Sequence, residues 1–397
     1  MDSVVTPSTK SANRFTEDQL MFKEAYRKFL LDEIVPYMDQ WRKEGIVDRI
    51  AFKKAGEMGF LMIWPDEKYG GYGDGDFRYE QIIIEETCRA GCMDWFNTLH
   101  SRLVGPYIDK LGTEEQKMKW LPQAASGDIV LAVAMSEPDA GSDLSSMRTT
   151  LEDKGDYYLL NGNKTYISNG INGDAIVTAA KSIPAEGKYS MTLCVVERGM
   201  EGFTRGLNLE KMGLKGQDTA ELFFDNVKIP KENILGEPGS AFNYLVTGLA
   251  EERLIVACQS AANARHAFDI TRAFVMERNA FGKTIADFQN TQFKMAEMDA
   301  ELDMLEAYVD HCVSLNTKGK LSVNAGAKVK LLATELEGRM VDLGVQLHGG
   351  AGYMSEYEIS KMYTDARVSR IYAGSSEIMK LIIGRDIFSD KYVSPLV

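Results

Sequence analysis

The feature that most constrains this chain is a double change of texture along its length. Up to about residue 128 apolar residues recur at helical spacing, from 129 to about 227 they gather into short β-rich runs between turn residues, and after Ser240 helical spacing returns. The two periods, 3.6 and 2, bury their apolar faces in different ways, so helices, a sheet and helices again must be assembled around more than one core. A length of 397 residues is ample for two or three domains.

In the first part Thr16-Glu-Asp-Gln19 has capping-box spacing, and Phe22, Tyr26, Phe29 and Leu30 follow on one helical face. Further helical patterns run over about 49–58, 79–90, 99–111 and 114–124, with the turn cluster Pro65-Asp-Glu-Lys-Tyr-Gly-Gly71 between the first two. The β-rich runs lie at 129–134, 157–160, 175–180, 191–196 and 221–227, a spacing that suggests a small barrel or sandwich of mostly antiparallel strands. Pro230 and Pro238-Gly-Ser close that segment, and Ser240 can cap the next helix. Met295, Met298, Leu302, Leu305 and Val309 then repeat close to a heptad, the stripe of packed antiparallel helices. The expected fold class is α+β, with an all-helical domain over 1–128, a middle β domain over 129–238 and a helical bundle over 239–397.

Composition narrows the function. A formal net charge of −13 disfavours nucleic acid and anionic membrane surfaces as partners. The five cysteines are scattered without C-x-x-C spacing and the four histidines lack metal-ligand spacing, so no disulfide framework and no metal are expected. No apolar run approaches the roughly 18 residues needed to span a bilayer. The N-terminal ten residues have neither a secretion-signal core nor transit-peptide character, and a cytoplasmic location is the simplest expectation.

The chemistry is carried by a set of polar and glycine-rich segments. Ala134-Met-Ser-Glu-Pro-Asp-Ala-Gly-Ser-Asp143 follows an apolar run and is answered by Lys164-Thr-Tyr-Ile-Ser-Asn-Gly170. Small residues there let backbone approach a planar ligand, while Ser136 and Ser168 offer hydroxyls and Tyr166 an aromatic wall. Singly, each segment is ordinary turn chemistry. Downstream come Arg278-Asn-Ala-Phe-Gly282, Gln289-x-x-Gln292, Gln346-Leu-His-Gly-Gly-Ala-Gly-Tyr353 and Arg370-Ile-Tyr-Ala-Gly-Ser-Ser-Glu-Ile378.

With these in order from about Phe15 to Phe388, the chain resembles the acyl-CoA dehydrogenases, flavoenzymes that desaturate acyl-CoA thioesters between the α and β carbons. It is most similar to the long-chain type. The resemblance implies FAD as cofactor, a flavin lying between domains, and a C-terminal domain that is a four-helix bundle. It also implies an electron-transferring flavoprotein as acceptor and a homotetramer.

In many members the catalytic glutamate lies between Tyr and Gly of the last motif, where this chain has Tyr372-Ala373-Gly374. Alanine cannot take a proton. Long-chain and isovaleryl-type members instead carry the base on the first long helix of the C-terminal domain, and Leu249-Ala-Glu-Glu-Arg-Leu-Ile-Val256 here resembles that pattern. The resemblance places the base on Glu252, with Glu251 turned about 100° away around the helix. Ala373 still offers its backbone N–H to the thioester carbonyl, as an oxyanion-hole donor.

By resemblance, Met135 and Ser136 line the isoalloxazine edge, Tyr166 packs on it where many relatives have Trp, and Ser168 bonds near N5. Arg278, Phe281, Gln289, Gln346, Gly349 and Gly350 reach the pyrophosphate and adenosine half from a neighbouring subunit, and Ser375 and Glu377 stand near the phosphate or adenine-ribose end. Ser142 matches a residue that bonds the pantetheine of CoA, and Arg253 supports Tyr372 and the base. A CoA ester is polyanionic, so its phosphates need local cations or helix N-termini against an acidic background. Three alternatives stay open: a short branched-chain dehydrogenase sharing the displaced base, an oxidase-like variant, and a flavoprotein scaffold without catalysis. Ala250-Glu251 departs from the Pro-Gln that precedes the base in close long-chain relatives, which bears on pocket depth.

Overall fold

The computed structural model describes residues 14–184, 190–390 and 392; the N-terminal segment read above for targeting lies outside them. Among the described residues six α-helices come first: α1 (Glu17–Phe29), α2 (Met38–Glu44), α3 (Arg49–Glu57), α4 (Phe77–Arg89), α5 (Gly105–Leu111) and α6 (Glu114–Ala125). The Thr16 hydroxyl accepts from the Gln19 N–H while the Gln19 side chain accepts from the Thr16 N–H, so the capping box opens α1 as its sequence predicts. Thr113 and Gln116 repeat the device at α6. The single helix expected over 99–111 is instead a π-helical turn, Leu99–Val104, running into α5. Pro106 accounts for the break, because proline has no N–H to give to an interior turn and is tolerated only near a helix start.

The middle part is one hydrogen-bonded sheet of eight strands: β1 (Leu131–Ala134), β2 (Thr150–Asp153), β3 (Tyr157–Ser168), β4 (Ala175–Ile183), β5 (Met191–Glu197), β6 (Phe203–Asn208), β7 (Thr219–Pro230) and β8 (Ile234–Leu235). The order is β6-β7-β3-β2-β4-β5-β8, and β1 joins by pairing with β4. Pairings are antiparallel except those of β1 and β2 with β4. One face gathers Leu160, Ile167, Ile176, Val196, Leu222 and Val227 into a core. Buried His100 ties β1 to α6, its Nδ1 accepting from the Leu131 N–H at 2.9 Å and its Nε2 facing the Ala124 carbonyl at 3.0 Å. Burial pulls this imidazole down to about 4, so it serves as a neutral bridge.

The last part holds α7 (Ala241–Glu277), a hairpin of β9 (Asn279–Ala280) and β10 (Lys283–Thr284), then α8 (Gln289–Thr317), α9 (Val323–His348), α10 (Glu358–Asp365) and α11 (Ser376–Ile387). Ser240 stands at the N-cap of α7, but its side chain makes no capping hydrogen bond. The heptad-like stripe of α8 packs as expected: Leu302, Leu305 and Val309 are buried against α7 and α9 residues such as Leu254, Ile255 and Val329, with Met295 and Met298 alongside. No helix among the described residues is long and apolar enough to cross a membrane.

A buried polar node ties the three parts together. Asp365, at the end of α10, accepts from Arg42 Nη1 at 2.8 Å and Nη2 at 3.1 Å, and from the Leu214 N–H at 2.6 Å. The same guanidinium reaches Asp94, whose other oxygen takes the Gly216 N–H at 2.7 Å. Removing one member of a buried pair strands the others, at a cost of about 3–5 kcal/mol. Asp365→Ala is therefore expected to lower stability by at least about 3 kcal/mol, read as a fall in the thermal midpoint at neutral pH; an unchanged midpoint would show the node to be dispensable.

Candidate active site

The long helix α7 presents two adjacent glutamates in opposite circumstances. Glu251 is half-buried and committed elsewhere, accepting from Arg102 Nε at 2.8 Å and Asn316 Nδ2 at 3.1 Å. Glu252 is only 8% exposed. Its Oε1 accepts a 2.6 Å hydrogen bond from the hydroxyl of Tyr107 on α5. Burial raises the carboxyl pKa, while the Tyr107 donor and the Arg253 charge act against that rise and Glu251 adds to it. Burial and the neighbouring carboxylate push the Tyr107 phenol well above its ordinary value, so it remains a donor.

A side chain in a helix leans over the preceding turn, which here brings Glu252 across Gly248. A Cβ at Gly248 would stand 3.6 Å from the Tyr107 hydroxyl oxygen and 3.7 Å from Glu252 Oε1, so glycine leaves that flank of the carboxylate uncovered. The arrangement can hold a carboxyl out of water, tune it, and still offer it to a ligand.

Behind α7 lies the loop Tyr372-Ala373-Gly374. Ala373 adopts φ +51° and Gly374 φ +93°. The left-handed region is strained for alanine and persists where the surroundings over-determine it. Lys330 Nζ donates to the Gly374 carbonyl at 2.8 Å, and the Tyr372 hydroxyl donates to Gln259 Oε1 at 3.3 Å. Arg253 is buried, and its Nε and Nη1 make no hydrogen bond. Tyr372 is thus held by Gln259, while Arg253 acts on Glu252 through charge.

Two further buried acids border these groups. Glu80 accepts from the Thr98 hydroxyl at 2.6 Å, and Glu337 from Asn263 Nδ2 at 2.8 Å. Desolvation pushes each up to about 7.

The proposed flavin residues fall into two sets. In the first, the Thr165 N–H donates to the Ser136 carbonyl at 3.0 Å, joining the loop after β1 to the end of β3. The buried Lys164 ammonium braces both, donating to the Met135 carbonyl at 3.0 Å and to Glu137 Oε1 at 2.8 Å. Glu137 in turn accepts from the N–H groups of Arg148 and Thr149. On this rigid ledge Tyr166 stands 72% exposed at φ +59°, beside half-buried Met135, Ser136 and Ser168. An exposed aromatic face next to small polar groups fits a flat heterocycle. Ser142 is exposed on the same loop, ahead of a short 3-10 turn.

The second set lies at one end of the helical bundle. Arg278 ends α7, Phe281 is 96% exposed at φ +52° in the hairpin turn, and Gln289 begins α8. Stacking of Phe274 on His348, centroids 4.1 Å apart, brings the end of α9 alongside, with Gln346, Gly349 and Gly350 exposed there. No hydrogen bond, ion pair or ring contact joins the two sets among the described residues. Ser375 and Glu377 belong to neither: Ser375 caps α11, its hydroxyl accepting from the Ile378 N–H, and Glu377 is exposed in the first turn.

Three functional candidates escape the sequence reading. Tyr107 and Gln259 carry no local signal. Lys330 does, since it interrupts the buried stripe Ala327, Ala333, Thr334, Glu337 and Met340 of α9, a position where a charge needs a reason.

Three family domains match in order: the acyl-CoA dehydrogenase N-terminal domain over 16–128, the middle domain over 132–227 and the C-terminal domain over 239–388. The chain is 41% identical to the long-chain specific acyl-CoA dehydrogenase, mitochondrial, of Rattus norvegicus, across 97% of this chain and 91% of that one. It is 35% identical to isovaleryl-CoA dehydrogenase, mitochondrial, of Arabidopsis thaliana, across 97% and 94%. Among solved structures, acyl-CoA dehydrogenase from Geobacillus kaustophilus superposes with a TM-score of 0.92 at 45% identity, covering 96% of this chain and all of that one. The three matched domains, in this order, are those of an FAD-dependent class of oxidoreductase, whose solved members include complexes with FAD and FADH2. The chain belongs to the acyl-CoA dehydrogenase family.

The buried acids fix a pH dependence of stability. Glu80 and Glu337 titrate near 7 in the fold against about 4.5 in the open chain, so the folded state holds extra protons between those values. Stability contributed below pH 4.5 is then lost as pH rises to about 7, and stays level above. Glu80→Gln removes one share: the variant is expected to lose less stability than wild type between about pH 5 and 8, compared by thermal midpoints. Parallel curves would mean that Glu80 is ionised throughout.

Proposed function

We propose that the protein is an FAD-dependent acyl-CoA dehydrogenase that desaturates long or medium-to-long acyl-CoA thioesters, with Glu252 removing the α-proton. The observation that carries this reading is the contrast on α7: Glu251 is spent on Arg102 and Asn316, while Glu252 is withdrawn from water, held by Tyr107 and uncovered beside Gly248. When bound, FAD supplies the acceptor for the β-hydrogen, taken as hydride at N5.

The chain's own groups do the rest. Glu252, ionised, takes the α-proton, and its raised pKa makes it a stronger base once substrate has displaced water. The Ala373 N–H receives the thioester carbonyl, where charge gathers as the α-proton leaves. Ser142 holds the pantetheine arm. Met135, Ser136, Tyr166 and Ser168 hold the isoalloxazine. Arg278, Phe281, Gln289, Gln346, Gly349 and Gly350 hold the pyrophosphate and adenosine half of a neighbouring subunit's cofactor, with Ser375 and Glu377 near that end. That sharing goes with a homotetramer, and membership of the family supports an electron-transferring flavoprotein as the acceptor.

The long-chain assignment draws support from the higher identity to the long-chain relative. An isovaleryl-type substrate is the second reading, because that type shares the displaced base and the alanine at the usual site, and Ala250-Glu251 departs from the long-chain pattern ahead of the base. Anaerobic titration with acyl-CoAs of graded length and branching separates them by which ester bleaches the flavin at lowest concentration.

Glu252→Gln is expected to keep its flavin and slow flavin reduction by at least about 100-fold; full activity would reassign the base. Tyr107→Phe removes a donor to the ionised carboxylate, so Glu252 should titrate higher. The acid limb of the reduction rate against pH moves up accordingly. A limb that stays in place or moves down would show that the phenol does not tune the base.

A further inference from the structure

Lys330 is fully buried midway along α9, and among the described residues no carboxylate lies within 4.0 Å of its ammonium. A lysine in such a place is rare unless paired. Its one hydrogen bond runs to the Gly374 carbonyl, 2.8 Å away, on the loop whose preceding residue is the strained Ala373. A second unpaired cation stands close by. A Cβ on Gly374 would lie 4.0 Å from Arg253 Nη2, and that buried guanidinium leaves Nε and Nη1 without partners. The loop is therefore gripped at Tyr372 by Gln259, gripped at Gly374 by Lys330, and backed by two positive charges with no acid in contact.

We propose that Lys330 is a positioning residue for the thioester-carbonyl donor, clamping the 372–374 loop from its buried side so that the Ala373 N–H is aimed, and placing a fixed positive charge behind the oxygen that becomes negative. The proposal rests on the function read above. Loss of the α-proton to Glu252 leaves the C–H electron pair on the substrate as an enolate, with its charge on the carbonyl oxygen. An alanine held at φ +51° would relax toward ordinary backbone without a restraint, taking its N–H with it. The charges facing Lys330 are Arg253 from α7, Glu335 and Glu337 from its own helix and Glu377 from α11, and burial with Arg253 pulls the ammonium down to about 8. The cation is thus held at a cost that an enolate beside it would offset.

The test uses the holoenzyme and a 3-ketoacyl-CoA. This ester can lose its α-proton but has no β-hydrogen to give up, and its enolate absorbs in the near ultraviolet. The pH at which half the bound ligand is ionised is measured for wild type, Lys330→Met and Lys330→Gln, together with kcat and KM on a saturated acyl-CoA. Lys330→Met is expected to raise the midpoint by at least about one unit, a tenfold loss of enolate, and to lower kcat about tenfold or more with KM nearly unchanged. Lys330→Gln keeps a donor for Gly374 but not the charge, and should fall between the two.

A Lys330→Met enzyme with the wild-type midpoint and kcat, changed only in thermal stability, overturns the proposal. Should that variant not hold flavin, a wild-type midpoint in Lys330→Gln overturns it equally. Wild-type enzyme that neither ionises the ketoester nor is bleached by any acyl-CoA would instead refute the dehydrogenase reading, whatever Lys330 does.

Discussion

Withdrawing a carboxylate from water costs more than a single hydrogen bond returns, and the surroundings of Glu252 are ordered by that imbalance. A neighbour that neutralised the charge, such as an arginine in contact, would settle the energy and ruin the base by lowering its pKa. The chain gives it a phenol instead. Tyr107 donates one short hydrogen bond, carries no charge, and through its own raised pKa cannot surrender its proton. Arg253 acts on the same carboxyl only through space. Glu252 is thereby left destabilised in its charged form, and taking up a proton relieves that strain.

This tuning depends on three parts of the chain meeting in register. Tyr107 comes from the first helical part, Glu252 from the opening turns of α7, and Ala373 from the loop before α11. The Arg42, Asp94 and Asp365 node draws residues from the first and last parts onto the Leu214 and Gly216 amides of the middle one. Such a node returns little net stability compared with apolar packing, yet its geometry admits few alternatives. Registration, rather than strength, is the service a buried ionic cluster of this kind offers a site assembled from distant segments.

Much of this was legible in the order of residues, and what was not has a common cause. The capping box at Thr16, the stripe Met295 to Val309 and the polar loops at 134–143 and 164–170 are local patterns, and the structure places them as helix start, packed helix face and joined ledge. A helical wheel sets Glu251 and Glu252 about 100° apart, and the structure bonds the first to Arg102 and Asn316 and buries the second against Tyr107. Tyr107 meets Glu252 across 145 residues of chain, and Arg42 meets Asp365 across 323, separations at which no local pattern records the contact. The strands β2 and β6 are short and partly polar and β8 has only two residues, so their pairing is set by neighbours rather than by their own alternation. The π-helical turn at Leu99–Val104 was hidden because its apolar spacing is close enough to α-helical to pass for it.

The alanine at 373 then has a physical explanation that the motif alone lacks. A site that removes an α-proton needs an acid and an oxyanion donor, but nothing requires one residue position to supply both. Arg253 Nη2 lies near Gly374, so the helix that carries Glu252 and the loop that carries Ala373 already touch. Once α7 holds the carboxyl, an acid at 373 would add a second negative charge beside the first, raising both pKa values and repelling the enolate. In the proposed mechanism a small side chain there leaves the backbone N–H to serve the carbonyl oxygen, while Glu252 alone carries the negative charge. Separating the two functions between a helix and a loop keeps charge of each sign where the reaction needs it.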